Sequence, residues 1–225
     1  MNEMINFTDV RLFYTKTGSA KYISHLDVMR AFQRALKRSK IDFWYTEGFH
    51  PHLYLSFALP LSLGYESIAE TVDFRLVAPM PYDEIVRRIN AVLPTGFKAT
   101  VAAKPIMDAK KIRFADYKIT FALPGKDKEK VLAAWYRCFS RENVPVVKKT
   151  KRGESEIDIK PHMKLSKLEH FEDRFGFNTR LASGTELNIN PELLFEAFRN
   201  FSGLNPEDVS VTRTAVYNEK MEKFC

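Results

Sequence analysis

Along the first half of the chain, apolar and polar positions switch between a period of two and a period near 3.6, which outlines a β-α-β-β-α-β order. Val10 to Lys16 is a short run of β-forming residues that Gly18 turns. Ser24 then opens a helix running to about Ser39, with Leu26, Met29, Phe32, Ala35 and Leu36 at helical spacing as its buried stripe. Ser24 and Asp27 form a capping-box pattern, in which each side chain reaches the other's backbone N–H. Ile41 to Tyr45 reads as a strand ended by Glu47-Gly48, and Leu53 to Ala58 either continues it or forms a hairpin arm. Ala69 to Val77 is the next strand. Pro81 suits the first position of a helix that ends near Leu93-Pro94, with Ile85, Ile89, Val92 and Leu93 inward. Phe97 to Ala103 closes the unit.

The second half repeats the order with different lengths. Ala115 to Leu123 alternates as a strand, and Lys126 to Arg141 is a helix with Val131, Leu132, Trp135 and Phe139 inward. Val144 to Thr150 and Glu154 to Ile159 form a hairpin about Lys151-Arg152-Gly153. Residues 160–174 have no clear period, and Gly176 to Ala182 is a further strand. Asn190 as N-cap and Pro191 as first helical residue begin a helix carrying Leu193, Leu194, Ala197, Phe198 and Phe201. Ser210 to Tyr217 alternates and ends the fold. The expected class is α+β, two tandem ferredoxin-like (βαββαβ) halves with antiparallel sheets. The halves are residues 1–105 and 106–225, joined by the polar stretch 104–113, which contains Pro105 and Lys110-Lys111.

The 225 residues are 45% hydrophobic, enough for two cores. No apolar stretch approaches the roughly 20 residues that span a bilayer, and Met1 to Asp9 lack a secretory pattern, so no membrane association is expected. Two cysteines, Cys138 and Cys225, form neither a disulfide framework nor a CxxC site, which fits the cytoplasm. A net charge of +7 is shared between the halves, 13 Lys/Arg against 10 Asp/Glu before residue 106 and 22 against 18 after it. That balance favours a polyanion partner by counterion release.

Candidate chemistry sits in three places. The first helix carries Arg30, Arg34, Lys37 and Arg38 along one face, followed by Lys40; guanidinium forks at helical spacing suit successive phosphates, though a solvated helix face looks the same. Lys148, Lys149, Lys151 and Arg152 cluster at the hairpin tip as a second phosphate contact, or as charge that blocks edge pairing. In Phe49-His50-Pro51-His52, an extended backbone would point His50 and His52 the same way, toward a phosphate or a metal, unless the loop is only structural. Two histidines do not complete a zinc site, so neither metal nor cofactor is expected. His25 is the weak catalytic candidate, a general base toward a ribose hydroxyl, with Tyr14, Tyr22 and Lys16 near it in sequence. The carboxylates of Glu66 and Glu70 have less to recommend them. There is no P-loop, dinucleotide-binding glycine pattern or nucleophile elbow.

Several segments carry a family resemblance: Arg11-Leu12-Phe13-Tyr14-Thr15-Lys16-Thr17-Gly18, Ile23-Ser24-His25-Leu26-Asp27, Glu47-Gly48-Phe49-His50-Pro51-His52, Ser56-Phe57-Ala58-Leu59-Pro60-Leu61 and Gly64-Tyr65-Glu66-Ser67. Weaker echoes follow at Asp158-Ile159-Lys160-Pro161 and Thr212-Arg213-Thr214. The chain resembles the bacterial radical-SAM-linked domain of unknown function, which occurs fused to or encoded beside a radical-SAM protein with a cobalamin-binding-type region. The resemblance implies a radical-SAM partner, and the chain lacks the cysteines for an iron–sulfur cluster of its own. A looser, fold-level likeness is to the CRISPR-RNA-processing endoribonucleases. The aromatic signature of RNA-recognition modules is absent, which argues against base stacking on the sheet in that style. The expected function is an RNA-binding accessory module, without catalysis of its own, that presents tRNA or rRNA to the radical-SAM partner. Its alternatives are a metal-free endoribonuclease and a protein scaffold without RNA contact.

Overall fold

The computed structural model describes residues 7–150 and 153–225, the side chains of residues 149 and 150 excepted. The described residues form an α+β structure, with four α-helices and predominantly antiparallel strands. Packing divides it into two units, residues 7–111 with Lys223–Cys225, and Ile112–Glu222. The first unit thus runs past residue 105 and takes back the last three residues, because the Met107 N–H and the Arg11 guanidinium both donate to the Cys225 carbonyl. Among the described residues, no helix is long and apolar enough to cross a membrane.

In the first unit β1 (Thr8–Lys16), α1 (His25–Arg38), β2 (Ser56–Phe57), β3 (Glu66–Leu76), α2 (Tyr82–Asn90) and β4 (Phe97–Ala103) follow one another. The sheet order is β4-β1-β3-β2, every pair antiparallel. Alternation puts Val10, Leu12 and Tyr14 of β1 beside Val72, Phe74 and Leu76 of β3, and α1 and α2 cover that face with Phe32, Leu36, Ile85 and Ile89. The buried stripe of α1 is Val28, Phe32, Ala35 and Leu36, whereas Leu26 is 54% exposed. Those four positions fall at i, i+4, i+7 and i+8, a register that turns Leu26 off the buried face.

The expected strand at 41–45 does not form a ladder. Lys40 leaves α1 with φ 57°, and only isolated bridges follow, Phe43 to Leu76 and Tyr45 to Leu53. The second of these bridges makes residues 46–52 a closed loop rather than a continuing strand. Helix α2 stops at Asn90, short of residue 93, because the Asn90 amide turns to the sheet: it accepts from the Ala99 N–H at 2.8 Å and donates to the Ala99 carbonyl at 2.9 Å.

The second unit comprises β5 (Ile112–Ala122), α3 (Lys128–Phe139), β6 (Pro145–Thr150), β7 (Gly153–Asp158), β8 (Met163–Leu165), β9 (Glu169–Phe171), β10 (Arg174–Ala182), α4 (Glu192–Ser202) and β11 (Glu207–Asn218). Its sheet runs β11-β5-β10, with β8 and β9 both on the outer side of β10, and β6 and β7 pair separately. Under the sheet, Trp135 meets the rings of Phe139, Phe177 and Phe198 at 4.5, 4.7 and 5.1 Å. Helix α4 begins after Pro191, one residue later than expected, although Asn190 Oδ1 still accepts the Glu192 N–H. Phe195 is its additional buried aromatic, while Phe201 is 40% exposed with Arg141 lying over its ring.

Candidate nucleic-acid interface

Helix α1 displays its cations as the sequence spacing requires. Arg30, Arg34, Lys37 and Arg38 are all exposed, opposite the buried stripe. Ser24 caps the helix by accepting from the Asp27 N–H; the reciprocal half of the capping box is replaced by a Ser24 Oγ bond to Asp27 Oδ2 at 2.7 Å. Asp27 is the helix's one carboxylate, paired with Arg30 at 3.2 Å, and its pKa is held down by its hydrogen bonds from Ser24 and Arg30. Both partners are more than half exposed, so that pair contributes little to stability. Arg38 donates to the Val92 carbonyl at 3.1 Å, which fixes the end of the row.

The hairpin cluster is described only in part. Lys151 and Arg152 lie outside the described residues, and the side chain of Lys149 is not described. The strand register sets Lys148 opposite Ser155, Lys149 opposite Glu154, and Val147 opposite Glu156. An acidic strand therefore runs beside the basic one. The helix cations belong to the first unit and the hairpin to the second.

His50 and His52 do not share an extended segment. The backbone bends at residues 48–50, and His52 Nδ1 lies 2.9 Å from Thr46 Oγ1 and 3.3 Å from the His50 carbonyl, closing the loop on itself. Both histidines are exposed. Among the described residues no group of three or more His, Cys, Asp or Glu side chains could hold a metal ion.

His25 has the most unusual setting of the singled-out residues. It starts α1 half-buried, edge-on to Phe57 at 5.4 Å. Lys16 at the end of β1 and Glu70 on β3 are 2% and 5% exposed, and both act electrostatically on the imidazole. Lys16 Nζ donates to the Ile23 carbonyl at 3.0 Å, just before the helix cap Ser24. Burial lowers the His25 pKa below 6.5, Lys16 lowers it further, and Glu70 opposes them. The folded chain thus binds fewer protons than the unfolded chain just below pH 6.5. This stabilising contribution is complete above that pH and is lost as pH falls toward the folded midpoint. An NMR titration of His25 is expected to give a midpoint below 6.5, and His25→Gln should flatten the fall in melting temperature over the same window. A midpoint above 6.5 would show that Glu70 dominates instead.

A fourth polar surface was not apparent from the sequence. On the side of the second sheet away from Tyr117, Ile119, Phe175 and Phe177, polar residues form rows across strands. Thr212, Lys118 and Asn178 are register partners, and Asn178 continues the row to Ser166 through backbone and hydroxyl bonds of 2.8 and 2.9 Å. Ser210, Thr120, Gly176 and Glu169 form the next row. Asp116, Arg180 and Lys164 form another, in which Asp116 holds Arg180 at 2.6 and 2.8 Å and raises its pKa. Two clefts of about 340 and 300 Å³ lie here and share Ser166 and Asn178. The polar alternation of Lys118 with Thr120 was available in the sequence, but the partners across the sheet were not.

No curated protein matches the chain. Among solved structures it is similar to a chain of a Cbf5-Nop10-Gar1 complex, at 11% identity and a TM-score of 0.49, covering 93% of this chain and 50% of that one. The chain thus spans about half the length of that protein. It is also similar to an unknown protein from Galdieria sulphuraria, at 12% identity and a TM-score of 0.27, covering 92% of this chain and 99% of that one. One family model matches residues 10–191, which include β1, the α1 cations and the second unit as far as the start of α4, and on that match the chain belongs to the uncharacterised proteins conserved in bacteria known as DUF2344.

Proposed function

We propose that this protein is a cytoplasmic RNA-binding accessory module of two ferredoxin-like units, which presents RNA to a radical-SAM partner. The observation that carries the RNA reading is α1, where four exposed cations face solvent against the single carboxylate of Asp27. Arginine forks at this spacing meet successive phosphates without needing a particular base. Supporting the architecture, the orders β4-β1-β3-β2 and β11-β5-β10-β8 each set the unit's last and next-to-last strands on either side of its first. The partner rests on the motif resemblance at residues 11–67, and a partner captured without any RNA retention would favour the scaffold reading.

The test is retention of labelled total bacterial RNA by nuclease-treated protein at two salt concentrations. Four phosphate contacts give a log–log slope near −3, so a fourfold rise in salt should weaken binding about 50-fold. Reversing Arg30, Arg34, Lys37 and Arg38 to glutamate should remove most of that dependence. Unchanged binding in the reversed variant would take α1 out of the interface.

A second reading, metal-free RNA cleavage, has one observation behind it: Lys16 and Glu70, from two other elements, both act electrostatically on His25. A neutral imidazole at pH 7 is the form a general base needs, but Lys16 and Glu70 are almost fully covered. Probe recovered at full length from the same experiment would reject cleavage.

A further inference from the structure

We infer that the open face of the second unit's sheet is a base-stacking platform for single-stranded RNA, built around Phe171. This rests on the RNA reading and specifies where unpaired bases sit. Phe171, at the end of β9, is 44% exposed on an otherwise polar surface. Its ring lies on Gly176 of β10, where an added Cβ would stand 2.7 Å from Phe171 Cε1. A glycine inside a strand sacrifices packing and marks a place where something approaches the backbone closely. Here it lets an aromatic ring lie down on the sheet with one side toward solvent.

Around the ring the chemistry is that of a nucleotide. Lys118 and Lys167 border the same cleft and Lys164 borders its neighbour; all three are exposed. Glu169 is the only acid of the larger cleft, and Asp116 in the smaller one is already neutralised by Arg180. The Asn178 side chain, exposed between the clefts, offers an amide donor and acceptor to a base edge, with the Thr120 and Ser166 hydroxyls beside it. Each cleft is at the small end of ligand-pocket sizes, suited to one nucleotide rather than a duplex. Bases are free to stack on a protein ring only when unpaired, so the occupant is a single strand. The ring comes from an edge strand and not from the central strands used by RNA-recognition modules, which is why their signature is missing from the sequence.

The probe is a labelled 12-residue oligouridine, compared with a double-stranded RNA of the same length and measured by fluorescence anisotropy. Phe171→Ala should weaken oligouridine binding about tenfold and leave the duplex unchanged, while Phe171→Trp should retain binding. Lys118→Glu with Lys167→Glu, at exposed positions that do not threaten folding, should weaken it likewise. Reversal of Arg30 and Arg34 should weaken both probes. If Phe171→Ala and the lysine variant both bind oligouridine as the wild type does, while the α1 reversal still weakens it, the platform is wrong and the RNA reading stands. If the wild type retains neither probe at low salt, the RNA reading fails and takes the platform with it.

Discussion

Replacing Arg11 by methionine is expected to lower the unfolding free energy by about 3 kcal/mol, a large share of a typical domain's stability. Arg11 is 1% exposed and every guanidinium nitrogen is occupied. Nε and one terminal nitrogen hold the two carboxylate oxygens of Asp73 at 2.8 and 2.7 Å, and the other donates to the Met107 and Cys225 carbonyls at 2.9 and 2.6 Å. Its flat side lies 4.2 Å from the Phe224 ring. Methionine fills much of the space but strands the Asp73 carboxylate and the Met107 carbonyl and takes one of two donors from the Cys225 carbonyl, and leaving buried polar groups unpaired is what costs. Asp73 keeps 22% exposure and can partly rehydrate, which places the loss at the low end of the range for broken buried pairs. Denaturant melts check the magnitude, and hydrogen exchange checks the cause. The Met107 N–H, bonded to the Cys225 carbonyl at 3.2 Å, should lose protection early. An Asp73→Asn change on top of Arg11→Met should cost less than it does alone, since the charge is then gone from both sides. A single-variant loss below about 1 kcal/mol would mean that the clamp only orders the C-terminal residues.

Arg11 also shows where sequence reading stops. It sits in a strand beside other charged residues, and nothing local distinguishes it from a solvent-facing arginine; its partners are Asp73, Met107 and Cys225, up to 214 residues away. Lys16 was visible only as a sequence neighbour of His25 and Glu70 only as a weak carboxylate candidate, and their joint setting beside His25 follows from the β1–β3 register rather than from any short motif. By contrast, α1 was legible because its cap, its apolar period and its cations are all local, and β4 was read from Phe97 to Ala103 as it stands. The three-residue strands β8 and β9 are too short to show alternation, so the surface they complete was hidden with them. The acids of β7 become neighbours of the hairpin lysines only once the strands pair, which no local spacing shows.

The second large effect is expected at Trp135, where alanine should cost about 3–5 kcal/mol. The side chain is 1% exposed and is the largest fully buried one among the described residues. It is the point where α3, α4 and the sheet converge: Phe139 is its neighbour one helical turn on, Phe198 comes from α4, and Phe121 and Phe177 come from β5 and β10. Removing it deletes four ring contacts and leaves a void that these rigid, interlocked rings cannot readily close. Phe201→Ala, at a 40% exposed ring on α4, is the control and should cost well under half as much. Phe121 and Phe177 alternate with Thr120, Gly176 and Asn178 on the same strands, so loosening the buried side also loosens the geometry of the polar side. The Trp135 variant should therefore show weaker amide protection along β5 and β10, and oligouridine binding that fails at a lower temperature than in the wild type. Loss of stability with no change at those amides would place the role of Trp135 in joining the two helices rather than in supporting the sheet.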